Sequence, residues 1–362
     1  MANQEHLTIL KQGIETWNVW RRQHRDVEPD VSDADLRGWN LRGGYFSGAN
    51  LSGADLSEAD LRDAELGWVG LDLDYQHAAA NLSFAQLEKT DCRNARLCLV
   101  KPVSLHARGA LFNGADLSEA DLGQAVMSDT DMRKARLYQA NLANVDLQRA
   151  DLREADLSYA HLHNTNLRDA NLTASRVAGI DALGVRLMDT IQIDLNISPP
   201  WAAPIFVDHL QIAQFVYLYQ GNAKLQDVLD IGPSSKLVLL VGGFTDERKS
   251  ILESLKTALR QRHIIPVFYG ITQEKERNIN ASLQELVSLA RFVLMDVSEP
   301  VSFLRALEPV LPALPAVPVH LIMQAPKEEH VRDAFFATYP WMAEPQYYDG
   351  ADDIDGLVRK YL

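Results

Sequence analysis

The chain has 362 residues, more than one compact core usually supports, so we expect two domains. Its 49 acidic residues outnumber its 35 basic ones, and the resulting net charge of −14 disfavours direct binding to nucleic acid or to an anionic membrane surface. Two cysteines, with no CxxC or Cys/His cluster, predict neither a disulfide framework nor a zinc site.

The first predicted element is a helix from Glu5 to His24. Apolar residues recur there at helical spacing, at positions 7, 10, 14, 17 and 20. We expect residues 1–30 to form a helical cap for the region that follows. The N-terminus has no basic stretch followed by an apolar one, and the longest uncharged apolar run, 237–244, is too short to span a bilayer. A cytoplasmic protein that makes no membrane contact is therefore expected.

A repeat of five residues begins at Ala34. Its central apolar residue, mostly Leu, recurs every five positions from 36 to 71, and then from 82 to 187 after a break that shifts the phase by one, giving 8 and 22 pentads. A period of five fits neither a helix nor an extended strand. The chain must therefore turn in every pentad, with the small leading residue, mostly Ala, and the large central one facing a narrow interior.

These A(D/N)LxG-like units resemble the pentapeptide-repeat family from Ala34 to roughly Asp189. The resemblance implies a β-solenoid over residues 31–190: a right-handed, four-sided parallel β-helix with four pentads per coil. The irregular stretches 72–79 and 100–108 are expected to bulge out as loops. Cys92 holds a central position and Cys98 an outward one, and both are expected to be structural.

The predicted solenoid carries 25 acidic and 16 basic residues between Glu28 and Asp189, a net charge of −9. Some pentapeptide-repeat proteins protect DNA gyrase as mimics of the DNA duplex, and an acidic rod is similar to them. Arginines at positions such as 37, 42, 62, 133 and 153 interrupt this acidic surface, however. A scaffold that recognises another protein is the favoured interpretation, and DNA mimicry stays open as an alternative.

The pentads end near Asp189, and residues 191–235 are predicted to be a Pro-rich linker followed by one or two short helices. Residues 236–362 then alternate strands, predicted at 237–244, 264–271, 291–299, 317–324 and 345–350, with helices. Continuous apolar strands with helical crossovers predict an α/β doubly wound parallel sheet. Pro266 favours an edge position for its strand. The aromatic residues Tyr339, Trp341, Tyr347 and Tyr348 are expected to pack in the core under a loop, with a partner-binding patch as the alternative.

Ligands of such sheets bind at the carboxyl ends of the strands. The first strand ends there with Gly242, Gly243, Phe244, Asp246 and Arg248, which are candidate cofactor-binding residues, although the stretch is not a dinucleotide or phosphate-loop motif. The third strand ends with Asp296, Ser298 and Glu299, which are candidate catalytic residues. Tight turns that lead from a strand into a helix are the favoured interpretation of both stretches, and the site roles are the alternative. No histidine spacing indicates a metal site.

This half of the chain resembles the TIR-like domains that follow pentapeptide repeats in bacterial, especially cyanobacterial, proteins. The similar segments are 208–218, 236–252, 289–302 and 314–322, with YPW at 339–341. The resemblance implies a flavodoxin-like topology and, in some relatives, an NAD-cleaving glutamate in an S-x-x-x-E-L stretch. Here Ala306 occupies the place of that glutamate, and the nearest carboxylate, Glu308, lies two residues on, on nearly the opposite helix face. If this chain cleaves NAD, Glu308 or one of Asp296, Ser298 and Glu299 must carry the reaction.

Together these features favour a protein–protein interaction scaffold or signalling adaptor, in bacterial stress or anti-phage defence as the resemblance implies. The partner is an unknown protein, and self-association through the TIR-like domain is an open option. No cofactor is expected, although NAD stays open as a ligand or substrate. An NAD glycohydrolase and a DNA mimic acting on gyrase are the two alternatives.

Overall fold

The computed structural model describes residues 2–67, 78–199, 202–220, 222, 235–243, 248–270, 280–298, 317–325 and 344–361. The chain divides into two compact units, Met1–Leu195 and Asn196–Leu362. Each unit has its own architecture and is described separately.

The first unit begins with two short helices, α1 (Gln4–Lys11) and α2 (Ile14–Gln23). The single predicted helix is wrong because Gly13, at φ +108°, breaks it. Trp17 is fully buried, and its indole N–H donates to the carbonyl of Tyr45 at 3.0 Å. The helices are therefore fixed to the first coil of the repeat region.

The repeat region is a parallel β-solenoid in which each pentad contributes one bridge residue. Asp30 pairs with Asn50, and Asp131 pairs with Asp151, so one coil closes in twenty residues. Central amides donate to the next coil; Leu122, for example, donates to the carbonyl of Asn141 at 2.9 Å. The central side chains point inward, as Leu56 at 0% exposure illustrates. The prediction of a four-sided coil with a leucine and alanine interior is confirmed.

An insertion interrupts the stack once. Asn50 pairs with Asn81 and Glu65 with Arg96, 31 positions on instead of 20, so this coil is eleven residues longer than the others. Eleven is two pentads plus one residue, which explains the shift in phase. Most of the loop predicted at 72–79 lies outside the described residues.

The loop predicted at 100–108 is wrong. Val100, Leu105 and Ala107 are buried at 0–3% exposure, and His106 pairs with Gln86, so the chain stays in the coil. The irregularity of the sequence reflects Pro102, which holds a central, buried position without an N–H to donate. The pentad loses a ladder hydrogen bond but keeps its place in the stack.

The second unit is built on a sheet of seven strands: β1 (Leu195–Asn196), β2 (Ile205–Val207), β3 (Leu237–Gly242), β4 (Ile265–Gly270), β5 (Phe292–Asp296), β6 (Val319–Gln324) and β7 (Gln346–Tyr348). The division between the units falls inside β1. The strand order is β1-β2-β4-β3-β5-β6-β7, with β2 antiparallel to β4 and the pairs from β4 to β7 parallel. If the five parallel strands, β3 to β7, are renumbered 1 to 5 in chain order, their order in the sheet is 2-1-3-4-5, which is the order of doubly wound flavodoxin-like sheets.

The described helices of this unit are α3 (Leu210–Gln220), α4 (Lys249–Arg260), α5 (Asn280–Leu289) and α6 (Ile354–Arg359), with a 3₁₀ turn at Ala351–Asp353. Helices α4 and α6 cover one face of the sheet, where their apolar residues form a core with Val238, Leu240 and Phe292. Helices α3 and α5 contact each other, and the hydroxyls of Tyr219 and Ser288 lie 3.1 Å apart. Strand β3 is buried along its whole length.

Two predictions for this unit are wrong. Strand β4 is not at an edge, because β2 pairs with it through Ile205 and Phe206. Strand β2 pairs only with Tyr269 and Phe268 of β4, so Pro266 lies beyond this pairing and its missing N–H costs no hydrogen bond to β2. The segment predicted as a linker therefore contributes a strand to the sheet, whereas the helix predicted after it is confirmed as α3.

Candidate functional site

The outer surface of the solenoid carries a column of paired charges, which we call the Asp–Arg ladder. Each pair consists of the aspartate before a central residue and the arginine after it, whose guanidinium folds back onto the aspartate. In the pair Asp131–Arg133, Nε donates to Oδ1 at 2.8 Å and Nη2 to Oδ2 at 2.6 Å. The same two-point geometry recurs in the other pairs, Asp60–Arg62, Asp91–Arg93 and Asp151–Arg153.

The ladder runs along the stack because its bridge residues follow one another from coil to coil. Asp60 pairs with Asp91, and Asp131 with Asp151, while the coil between them carries Leu111 instead. Arginines also approach the carboxylate of the next coil, with Arg133 Nε 3.7 Å from Asp151 Oδ2. Each carboxylate of the ladder therefore lies between positive charges.

These contacts affect the ionisation of both partners. The hydrogen bond from the Arg133 side chain lowers the pKa of Asp131, more than partial burial raises it. In return, Asp131 raises the pKa of Arg133. Both groups are charged at neutral pH, and their charges cancel locally.

In the α/β unit, the candidate residues meet at the carboxyl edge of the sheet. Asp296 ends β5 and is 1% exposed. Its Oδ2 accepts hydrogen bonds from Arg248 Nη2 and, at 2.9 Å, from the Tyr348 hydroxyl, and its Oδ1 accepts the Ser298 amide at 3.0 Å. The Ser298 hydroxyl in turn accepts the amide of Gln324 at 2.7 Å.

This cluster, which we call the Asp296 cluster, joins the ends of β5, β6 and β7 to the start of α4. Burial lowers the pKa of Arg248, but the hydrogen bond and charge of Asp296 outweigh that effect and raise it above its ordinary value. Burial, followed by the charge of Asp296, raises the pKa of Tyr348 to about 12. At neutral pH the cluster holds an arginine–carboxylate ion pair and a neutral phenol.

Three of the predicted site residues thus come together: Arg248, Asp296 and Ser298. Gly242 ends β3 opposite Gly270, and Gly243 follows it. Phe244, Asp246, Glu299 and Glu308 lie outside the described residues. Because both carboxylate oxygens of Asp296 are engaged, the arrangement is suited to fixing strand ends, and a substrate would have to displace a hydrogen bond to reach it.

Sequence reasoning missed two members of the cluster, Tyr348 and Gln324. Tyr348 was expected to pack in the core and not to join a polar cluster; it is buried, while Tyr347 is 49% exposed. The available signal was positional: both residues end strands that run parallel to β5, so their side chains or amides reach the same edge.

Among the described residues, no group of three or more His, Cys, Asp or Glu side chains is arranged to hold a metal ion. Cys92 is fully buried, and burial raises the pKa of its thiol, as a structural role requires. No helix in the described parts of the chain is long and apolar enough to cross a bilayer.

Comparisons with known proteins concern the solenoid. The solved structures with similar folds include full-length QnrB1, a plasmid-mediated fluoroquinolone resistance protein, at 18% identity over 44% of this chain and 87% of QnrB1, with a TM-score of 0.25. HetL, from the cyanobacterium Nostoc sp. strain PCC 7120, is 24% identical over 48% of this chain and 92% of HetL, with a TM-score of 0.17. Rfr23, from the cyanobacterium Cyanothece 51142, is 23% identical over 49% of this chain and 90% of Rfr23, with a TM-score of 0.18.

No curated protein matches this sequence. The family model of pentapeptide repeats does match it, in eight copies over residues 32–67, 110–149 and 135–173. All of these residues lie in the β-solenoid. The first unit of the chain is therefore a solenoid of pentapeptide repeats.

Proposed function

We propose that this chain is a protein-recognition scaffold, in which the pentapeptide-repeat solenoid presents a rigid surface to a partner protein. The α/β unit serves as a TIR-like signalling or assembly module, in bacterial stress or anti-phage defence. The observation that supports recognition of a protein is the Asp–Arg ladder, because alternating and locally cancelled charges suit the mixed surface of another protein.

The construction of the solenoid supports this role. The leading and central residues of each pentad fill the interior, and the backbone ladder holds every coil against the next. Most side chains of the other three positions lie outside this interior, where they are available to a partner. A stack of this kind presents side chains at fixed spacing on a surface that needs little ordering when a partner binds.

The same contacts argue against the DNA-mimic alternative. A mimic of the duplex needs uncompensated carboxylates along a face, as phosphates are in DNA. Here Asp129 lies between Arg108 at 3.1 Å and Arg149 at 2.5 Å, and the ladder aspartates are likewise paired. The net negative charge of the rod is dispersed among ion pairs.

The NAD glycohydrolase alternative needs a carboxylate that can reach a bound substrate. Asp296 is buried and already accepts three hydrogen bonds. Glu299 and Glu308 therefore remain the carboxylate candidates for that reaction. Incubating the purified chain with NAD tests it directly: we expect no release of nicotinamide above that of a Glu308→Ala control.

The scaffold proposal is tested by photo-crosslinking in cells. A benzoylphenylalanine replaces Lys134, next to Arg133; an aromatic residue is tolerated there because Phe84 and Tyr159 hold the same backbone position. We expect a discrete crosslinked protein that mass spectrometry identifies. The matched control swaps one pair, Asp131→Arg with Arg133→Asp, which keeps the net charge but reverses the pattern, and the crosslink should disappear.

Two outcomes would overturn the proposal. A crosslink to gyrase, together with inhibition of its supercoiling activity by the purified chain, would establish the mimic instead. A crosslinking pattern unchanged by the swap, in a variant whose circular dichroism shows it to be folded, would mean that the ladder is not what the partner recognises.

A further inference from the structure

Trp39 breaks the rule for the leading position of the pentads. This position faces the interior and holds small residues; the next ones in the same column of the stack are Ala59, Thr90, Ala110, Thr130 and Ala150, all buried at 0–1% exposure. Trp39 is instead partly exposed. An indole is far too large for a space that an alanine fills, so the interior does not explain its presence.

The exposed part of Trp39 lines a cleft of about 510 Å³ on the outside of the solenoid. The polar lining comes from Asp35, Arg37, Ser57 and Glu58. Gly38 forms one side, at φ +67°, and nothing lies within 4 Å of the place where its Cβ would be. The cleft is thus open next to the indole.

Negative charge dominates this cleft. The guanidinium of Arg37 is held by Asp35, at 2.8 and 2.7 Å, and lies 3.5 Å from Asp55. Glu58 is 70% exposed, and Lys89, the cation paired with it, lies 4.0 Å away and is itself 75% exposed. The carboxylates of the cleft lining, Asp35 and Glu58, therefore outnumber its one cation, Arg37, and Glu58 has capacity for a closer partner.

No cation of the described residues occupies the face of Trp39. The cation–aromatic contact that the described structure contains is that of Arg22 over Tyr45, at 5.9 Å. An aromatic face beside an excess of carboxylates attracts a positive group through both the ring quadrupole and direct charge. A planar guanidinium makes both interactions at once, because its face stacks on the indole while its edge donates two hydrogen bonds to a carboxylate.

We infer that the Trp39 cleft receives an arginine side chain of the partner protein, with its guanidinium stacked on Trp39 and bonded to Glu58. This inference rests on the proposed recognition function and names one anchor of that interface. Buried aromatic and arginine contacts of this kind carry much of the affinity of protein interfaces.

The experiment uses the full chain labelled with 5-fluorotryptophan. The chain has six tryptophans, and the ¹⁹F resonance of Trp39 is identified as the one missing in Trp39→Phe. The probe is the peptide acetyl-Gly-Arg-Gly-amide, and the control is the same peptide with citrulline, which keeps the shape without the charge. We expect the Trp39 resonance to shift with the arginine peptide at millimolar concentration and to stay in place with citrulline. Glu58→Gln should weaken the binding about threefold or more.

Trp39→Ala separates recognition from a structural role. Alanine is the usual residue of this position, so the variant should keep the midpoint temperature of unfolding while losing the partner crosslink. A large fall in that temperature would assign Trp39 to the fold and overturn the inference.

Equal shifts with the arginine and citrulline peptides, or none up to about 10 mM, would overturn it as well. If the crosslink at position 134 forms while the Trp39 resonance stays unmoved, only the arginine cleft is wrong. If the crosslink at position 134 is unchanged by the swap of Asp131 and Arg133, the proposed recognition function is wrong, whatever the Trp39 resonance shows.

Discussion

In many pentads the amide that follows the central residue donates to a side chain and not to the backbone ladder. In the pentad around Leu157, the Ser158 amide donates instead to Oδ1 of Asp156, at 3.0 Å. Asn141 accepts the Ala143 amide in the same way, at 3.0 Å. This contact explains why aspartate and asparagine dominate the position before the central residue, where a merely solvent-facing position would accept any polar residue.

We therefore expect Asp156→Ala to lower the free energy of unfolding by about 1 kcal/mol, the usual worth of such a cap. Asp156→Asn keeps the acceptor and should change stability much less. Urea unfolding followed by circular dichroism measures both variants. Equal losses in the two would show that the charge of Asp156, and not its hydrogen bond, stabilises the turn.

The turns also place side chains in the left-handed region, which glycine adopts without strain. Phe84 adopts φ +60° and is 58% exposed, so its ring gains little to offset the strain at its backbone. Phe84→Asn should raise the free energy of unfolding by about 0.5–1 kcal/mol, because asparagine tolerates this conformation. Phe84→Ala removes the ring but keeps the strain. If alanine stabilises as much as asparagine, the benefit comes from removing exposed apolar surface.

At the scale of the structural element, the Asp–Arg ladder makes stability depend on pH. The pKa of Asp131 is lower in the folded state than in the unfolded state, where it is about 3.9. The ion pair therefore stabilises the fold fully above the unfolded pKa, and this stabilisation is lost as the pH falls through the folded pKa. Asp35 behaves alike, since the hydrogen bond from Arg37 lowers its pKa to about 2.

Arg133→Gln tests this dependence. At pH 7 the variant should be slightly less stable than the parent, and the loss is small because the pair is partly exposed and screened by solvent. The two stabilities should converge as the pH falls below the folded pKa of Asp131. Thermal unfolding between pH 2 and 7 measures the difference, with Lys134→Gln as a control that leaves the ladder intact. A constant difference across this range would contradict the assignment.

The Asp296 cluster gives the second prediction at this scale. Arg248→Met leaves a buried carboxylate without its ion pair and should cost about 3–5 kcal/mol. The double variant Arg248→Met with Asp296→Leu removes both charges and should recover most of that loss. Urea unfolding of the full chain checks the pair. If the double variant is as unstable as the single one, the cluster contributes hydrogen bonds that apolar packing cannot replace.

The elements differ in how far the sequence predicts them. The period of five defines the solenoid and the inward positions such as Leu56 and Leu117, because a stacked interior tolerates nothing else every five residues. The segment 100–108 was wrongly predicted to be a loop because of Pro102. The ring of Pro102 fits the interior, although the residue has no N–H for the backbone ladder. Strand β2 was missed because three residues among prolines carry too little periodicity, and the position of β4 was therefore wrong.

The Asp296 cluster was predicted only in part. Arg248, Asp296 and Ser298 were each chosen for their places after strands, yet their mutual contacts depend on strand order and on the path of α4. Tyr348 comes from the last strand, more than 50 residues away from Asp296. The D-x-R spacing of the ladder, by contrast, stands plainly in the sequence at 131–133 and 151–153 and was read there only as an interruption of acidic charge.

At the scale of the whole molecule, the division at Leu195 predicts two separable folding units. A repeat stack is stabilised by contacts between neighbouring coils, so the first unit contains its own core. We expect the fragment 1–195 to fold alone and to reproduce one of the thermal transitions of the full chain in calorimetry. An unfolded fragment, or a single transition in the full chain that the fragment does not share, would contradict this independence.

The lengthened coil has a practical consequence. The chain from Glu65 to Asn81 is eleven residues longer than in the other coils, yet Glu65 still pairs with Arg96 and Asn81 with Asn50, so this corner accepts extra chain while the pairing on either side is kept. Foreign peptides, such as an epitope tag or a fluorescent reporter, are best grafted at this corner. A ready-made attachment point of this sort would let the rod be labelled or immobilised while its neighbouring walls keep their geometry.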